Sequence, residues 1–284
     1  MTGILLALIP AVCWGSIVLV SVKLGGDAYS QTLGITLGAL VFSIVLYFIV
    51  HPHLTIFIFV IGFLSGIFWA IGQRNQLGTV QYLGVSKTVP LSTGMQLVAT
   101  TLVGVLVFKE WSTRTVIIIG IIAILLIIIG VIFTTIREKG SDEKSEKTKK
   151  GYILLLISTA GFLAYVIIIR WFNLNGWSVL LPQAVGMLTG ALLLTFRHKP
   201  FNKYAIHNIF TGFLWGAGNL GLLLALPKIG VATSFSLSQT GIIISTLGGI
   251  FLLHEKKSKR QIIFVIVGCV LVIIGGILLG FTKK

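Results

Sequence analysis

Acidic side chains are scarce. The 284-residue chain carries seven Asp and Glu against 22 Lys and Arg, and four of those acids crowd into one stretch, REKGSDEKSEKTKK at 137–150. Asp27, Glu110 and Glu255 are the acids left over, and all three fall near the ends of apolar runs. An amine substrate would call for a carboxylate in mid-run, and there is none. Cysteine is nearly absent too. Cys13 and Cys269 both lie inside apolar runs, which gives no support to a disulfide framework. HExxH and GxSxG are missing, and no spaced Cys/His cluster offers a metal site. LGGD at 24–27 lacks the first glycine of the GxGD signature of intramembrane aspartyl proteases. The five histidines, His51, His53, His198, His207 and His254, are scattered. These gaps speak against an enzyme, and no cofactor or metal is expected.

Charged residues make up only 10% of the chain, hydrophobic residues 56%, and the mean hydropathy is +1.03. A water-soluble domain does not carry that balance. Several apolar runs exceed the ~18 residues that mark a bilayer-spanning helix. In lipid the backbone must be paired internally, by helices or closed barrels. Barrel strands alternate polar and apolar residues, whereas VIIIGIIAILLIIIGVIF at 116–133 does not. The expected class is an all-α membrane protein. The opening MTGILLALIPAVCWG has no basic residue before its apolar stretch, so it reads as a retained first span. The net charge of +15 fits basic loops facing anionic lipid, not nucleic-acid binding.

Ten spans are predicted near 3–22, 32–50, 55–78, 83–108, 115–135, 151–169, 180–196, 205–226, 231–253 and 262–281. The charged segment 137–150 divides them into two five-helix halves, 1–136 and 151–284, which look like copies. Gly34 and Gly38 match Gly186 and Gly190; FWAIGQ (68–73) matches LWGAGN (214–219); LGV (83–85) matches IGV (229–231). Glu110 and Arg114 match Glu255 and Arg260, and Gly130 matches Gly276. An odd number of spans per half turns the second copy upside down. Inverted repeats around a central site are an architecture of secondary transporters.

The stretch FWAIGQRNQ (68–76) then acquires meaning, because Asn219, the partner of Gln73, is followed by LGLLLAL and so lies well inside its span. The third span is therefore expected to continue through Gln73, Arg74, Asn75 and Gln76. Polar groups there cost ~2–3 kcal/mol against lipid and should face a cavity or one another. Trp69, Gln73 and Gln76 share one helix face, and Trp215 and Asn219 form its counterpart. Ser92, Gln96 and Thr100 lie on one stripe of the fourth span, answered by Ser238 with Gln239 alongside in the ninth. With Trp14 from the first span, the candidate substrate-contacting set is Trp14, Trp69, Gln73, Gln76, Ser92, Gln96, Trp215, Asn219, Ser238 and Gln239. Amides bond hydroxyls as donor and acceptor at once, and indole faces cover the C–H side of a pyranose. That chemistry suits an uncharged polyol such as a sugar. Single serines and threonines in such helices more often bond their own backbone, and glycine pairs usually mean close packing. Asp27, Arg74, Glu110 and Glu255 are the candidate coupling or gating residues, although Glu110 with Arg114, and Glu255 with Arg260, ordinarily cap helices or pair at the surface.

These residues carry a resemblance. In GFLSGIFWAIGQRNQ (62–76), LGVSKTVPLSTGMQLVATTLVGVLVFKEW (83–111) and the paired Glu…Arg ends, the chain resembles the bacterial glucose uptake proteins, the glucose/ribose porter branch of the drug/metabolite transporter superfamily. The resemblance implies ten helices around a central cavity lined by the first four of each half, and uptake of glucose or a related sugar with protons as the coupling ion. Lys and Arg number sixteen on the side that carries the 137–150 segment and six on the side of the termini. The positive excess places that segment in the cytoplasm and both termini outside the cell membrane. The competing readings are a metabolite or drug exporter of the same fold and a non-transporting membrane scaffold or sensor. The oligomeric state is not legible in the sequence.

Overall fold

The structure, a computed structural model, describes residues 2–136 and 146–282, without the side chains of residues 231–233, 235 and 236. Eleven α-helices and no strands occur among the described residues. They are α1 (Thr2–Leu24), α2 (Ala28–Val50), α3 (Ile56–Leu83), α4 (Val85–Leu106), α5 (Arg114–Thr135), α6 (Glu146–Trp171), α7 (Gly176–Thr195), α8 (Lys203–His207), α9 (Ile209–Ser238), α10 (Gly241–Phe251) and α11 (Lys259–Phe281).

The helix boundaries follow from local chemistry. Asp27 caps α2 by accepting from the Tyr29 and Ser30 amides, and Asn175 caps α7 by accepting from Trp177. Thr113 caps α5, and Ser258 opens α11 in a reciprocal capping box with Gln261. These caps fall at matching positions of the two sequence halves. So do the left-handed residues that end helices: His51 (φ 47°) with Lys199 (φ 50°), and Lys109 (φ 52°) with His254 (φ 53°).

The chain divides into two compact units that draw on both halves. One comprises Met1–Leu19, Tyr82–Lys149 and Gly218–Lys284. Its core is built on α5 and α11, with Leu97, Ala123, Ile127, Ile242, Val272 and Ile273 buried together. The two helices approach at Gly130 and Gly268 so closely that a methyl on Gly130 would lie 2.6 Å from the Gly268 carbonyl, and one on Gly268 would meet that of Gly130. Small residues let helix backbones touch where apolar burial gives no drive. The outer face of α5 exposes Ile118, Ile121, Ile122, Leu125 and Ile129, an apolar surface that water would not tolerate.

The other unit comprises Val20–Gln81 and Lys150–Ala217. Here Gly34 and Gly38 press against Ala205, Ile209 and Gly212, while Gly186 and Gly190 press against Phe63 and Ile67. The two glycine pairs matched in sequence thus perform matching contacts, α2 on α8 and α9, and α7 on α3.

One expectation is corrected. Nine helical stretches among the described residues are uninterrupted, long and apolar enough to span a membrane, and the expected tenth is not continuous. The span expected at 231–253 is broken: α9 kinks at Gly230 (φ 77°, ψ 165°), and the chain turns again at Gln239 and Thr240 before the 11-residue α10. Thr240 donates both its amide (3.1 Å) and its hydroxyl (2.7 Å) to the Leu237 carbonyl. Such local bonds compete with the helical ladder. The 137–150 segment lies outside the described residues as far as 145, and α6 begins at Glu146. By contrast α3 runs unbroken past Gln76, as the match of Gln73 to Asn219 led us to expect.

A Gly130→Val protein should lose about 3 kcal/mol of stability, because the added methyls meet backbone that cannot yield. Thermal unfolding in detergent checks this; a melting temperature equal to wild type would mean that α5 and α11 can separate freely.

Candidate functional site

Burial concentrates polar residues on α3. Gln73, Asn75 and Gln76 are buried in the same helix turn that the composition alone would have assigned to a membrane surface. Asn75 bonds the Ile71 carbonyl at 2.8 Å and accepts from Arg74 at 3.0 Å. Gln73 is different. It is 3% exposed, and its Nε2 has no hydrogen-bond partner among the described residues. An unmet buried amide donor costs about 1–3 kcal/mol. One turn back, Trp69 meets Trp215 edge to face with ring centroids 6.0 Å apart, and meets Phe162 at 6.2 Å. Gly72, between them, is covered by the Phe162 ring, where a side chain would clash. This unit therefore offers three aromatic rings and one amide donor without an acceptor.

Arg74 leaves that face. Its guanidinium lies 4.5 Å from the Tyr29 ring centre and donates to the Tyr29 hydroxyl, and Tyr29 stacks on His198 at 3.8 Å. Asp27, the other candidate coupling residue here, accepts from two amides and the Ser30 hydroxyl as the cap of α2.

The second unit holds the remaining candidates. The Trp14 indole covers Gly218, beside Asn219, as Phe162 covers Gly72 beside Gln73. On α4, Gln96 donates to the Ser92 hydroxyl at 2.9 Å, and Thr100 back-bonds to the Gln96 carbonyl at 2.7 Å. Gln239 donates to Ser238 at 3.4 Å and its stem lies 3.6–3.8 Å from where a Gly276 side chain would begin. Ser92 and Ser238 are buried. Within this unit the structure places Ser92 with Gln96 and Ser238 with Gln239; in the other it places Trp69 with Trp215, with Gln73 one turn along the same helix.

Glu255 reaches across 170 residues to the start of α4. Its carboxylate accepts from the Val85 amide at 2.5 Å, the Ser86 amide at 3.2 and 3.3 Å, and the Ser86 hydroxyl. Beside it, burial pushes the Lys257 ammonium down to about 8, a shift that Lys87 reinforces and Glu255 opposes.

Several participants escaped the sequence reading. Phe162 stands 148 residues after Trp14, so the repeat itself pointed to it. Gln183, which donates to Ser65 at 3.0 Å while Ser65 donates to the Tyr165 carbonyl at 2.9 Å, was visible as an amide within an apolar run. The Tyr29–His198 stack had no sequence signal, since it joins two helix ends distant in the chain.

Over residues 5–282 the chain matches the family described as sugar transport protein. The chain belongs to that family. A Bacillus anthracis protein named for sugar uptake is 61% identical over 281 residues, covering 99% of each chain. The glucose uptake protein GlcU of Bacillus subtilis is 57% identical over 282 residues, 99% of this chain and 98% of its own. One crystal structure superimposes with a TM-score of 0.65 at 12% identity, over 97% of this chain and 95% of the other. That last likeness concerns the fold alone. With its family and nine long apolar helices, the chain is a multi-pass membrane protein.

The Lys257 shift sets a pH dependence. Below about 8 the folded protein carries the whole penalty of a buried ammonium; above it the folded state releases the proton while the unfolded chain, near 10.5, still holds it. Stability relative to Lys257→Met should therefore rise between these two values. A flat difference across a pH series of thermal unfolding would contradict the burial of this ammonium.

Proposed function

We propose that the protein takes up glucose or a closely related neutral sugar across the cytoplasmic membrane as a secondary transporter. The observation that carries this is Gln73: a buried amide donor left unpaired, one turn from the Trp69–Trp215 pair, in a chain of the sugar transport family. A sugar hydroxyl supplies the missing acceptor, and the indoles suit the apolar side of the ring. Both relatives named above are called uptake proteins, which favours import over export.

The mechanism in this reading is alternating access by two inverted five-helix repeats, 1–136 and 151–284. Paired caps (Asp27 with Asn175, Thr113 with Ser258) support the repeat, as do paired left-handed residues and the near-identical backbone of Gly84 (φ 75°, ψ 165°) and Gly230 (φ 77°, ψ 165°). The segment 137–150 is cytoplasmic and both termini are outside. Protons are the coupling ion, with Asp27, Arg74, Glu110 and Glu255 the groups to probe; uptake with and without an imposed pH gradient decides that part.

Labelled glucose counterflow in proteoliposomes tests the substrate. Gln73→Met keeps the volume and removes the donor, so KM for glucose should rise about 5–10-fold while the sugar-free protein becomes thermally more stable. Absence of counterflow in wild type would sink the sugar reading. Unchanged KM in the variant would remove Gln73 from the site.

A further inference from the structure

Buried hydroxyls stitch α3 to α6. Ser65 donates to the Tyr165 carbonyl at 2.9 Å, and Ser158 donates to the Gly72 carbonyl at 2.8 Å. Thr79, which also returns to the Asn75 carbonyl at 2.9 Å, reaches the Gly151 carbonyl at 3.4 Å. These rungs fall seven residues apart on each helix, 65, 72 and 79 running against 165, 158 and 151. Seven residues are close to two helical turns, so the rungs share one stripe of an antiparallel pair.

The middle rung differs from the outer two. Its hydroxyl comes from α6 and its carbonyl from α3, the reverse of the others. In an unbroken helix the Gly72 carbonyl already accepts from the Gln76 amide, so Ser158 occupies its second lone pair. That carbonyl belongs to the peptide unit whose nitrogen is that of Gln73. The backbones touch at the same place: a methyl on Gly161 would lie 2.6 Å from the Gly72 nitrogen and 2.8 Å from the Phe68 carbonyl oxygen. A methyl on Gly72 would meet the Phe162 ring at 2.9 Å. Ser158, Gly161 and Phe162 lie at i, i+3 and i+4, one face of α6 applied to the peptide that carries Gln73.

Ser158 had a cheaper option. Its neighbour Thr159 returns its hydroxyl to the Leu155 carbonyl of its own helix at 2.9 Å, whereas Ser158 reaches across. The offset of 148 that pairs Phe162 with Trp14 pairs Ser158 with Pro10, which has no hydroxyl to give. The bond therefore belongs to the copy of the repeat that faces Gln73, not to the repeat as such.

We propose that Ser158 is a positioning residue for sugar binding: by pinning the Gly72–Gln73 peptide it keeps the Gln73 amide from turning to a protein acceptor and holds its donor ready for the sugar hydroxyl. This rests on the reading of Gln73 as a sugar contact. A buried amide on a mobile backbone relaxes toward the nearest carbonyl, as Asn75 does toward that of Ile71. Pinning the peptide costs stability in the empty protein and removes that reorganisation from the binding step. Ser158 acts through Gln73 and need not touch the sugar.

The test is a double-mutant cycle on the full-length protein, with wild type, Ser158→Ala, Gln73→Met and the double variant compared in glucose counterflow and in thermal unfolding. Ser158→Ala should raise KM for glucose about threefold at an unchanged maximal rate, and should raise it no further when Gln73 is already Met. Thr79→Val removes an outer rung at constant volume and should leave KM unchanged. An equal rise from Ser158→Ala in both backgrounds, or the same rise from Thr79→Val, would reduce Ser158 to a packing bond and overturn the proposal. Sugar-free unfolding gives an independent reading. Gln73→Met should raise the melting temperature of the Ser158→Ala protein by less than roughly half of what it adds to wild type, because the freed amide has already found an acceptor. Equal gains would contradict the pinning. Unequal gains without glucose counterflow in wild type keep the positioning and remove the sugar. Counterflow with independent KM effects keeps the sugar and removes the positioning.

Discussion

A polar group on a helix inside a bilayer has no water to fall back on, so it must find its partner within the chain. That constraint orders almost everything polar in this protein. Thr32, Thr36, Thr195 and Thr211 return their hydroxyls to carbonyls three or four residues earlier. Ser65 and Ser158 reach carbonyls of a neighbouring helix. Gln31 gathers three carbonyls at the end of α1. The hydroxyls of Ser21, Ser43 and Thr88 also lack a partner among the described residues, but the idle amide of Gln73 is the larger group and is informative because a shorter apolar side chain would remove the penalty altogether. A costly group kept beside stacked aromatic rings points to a ligand that completes it.

Glycine plays the complementary part. With no aqueous drive between helices, close backbone approach has to replace side-chain burial, and the contacts at Gly130 with Gly268 and at Gly38 with Gly212 do so. Each joins one helix from the first half of the sequence to one from the second. The core of each unit is therefore shared between the halves, which is why neither unit is contiguous in the chain.

The helices were legible because apolar runs and their caps are local facts. Even the least obvious one, α3 continuing through GQRNQ, could be read by transferring the position of Asn219 to Gln73. What stayed hidden depends on long-range geometry. The break at Gln239–Thr240 comes from a short polar turn in a segment whose hydropathy is as high as that of a span. The seat of Glu255 lies 170 residues from the glutamate itself, and only the fold brings them together. Single hydroxyls were the least legible: Ser92 and Ser238 read the same in sequence whether they contact a substrate or support a neighbouring amide, and here they accept from Gln96 and Gln239.

The two levels meet in the comparison of Gly84 with Gly230. As letters they are two glycines in matching tripeptides, LGV and IGV. As structure they share one backbone conformation, and above Gly84 lies the Glu255 carboxylate. What the letters could not carry is the partner: the start of α4 has no capping side chain of its own, so a carboxylate brought from 170 residues away serves it, directional and worth little more than a single cap.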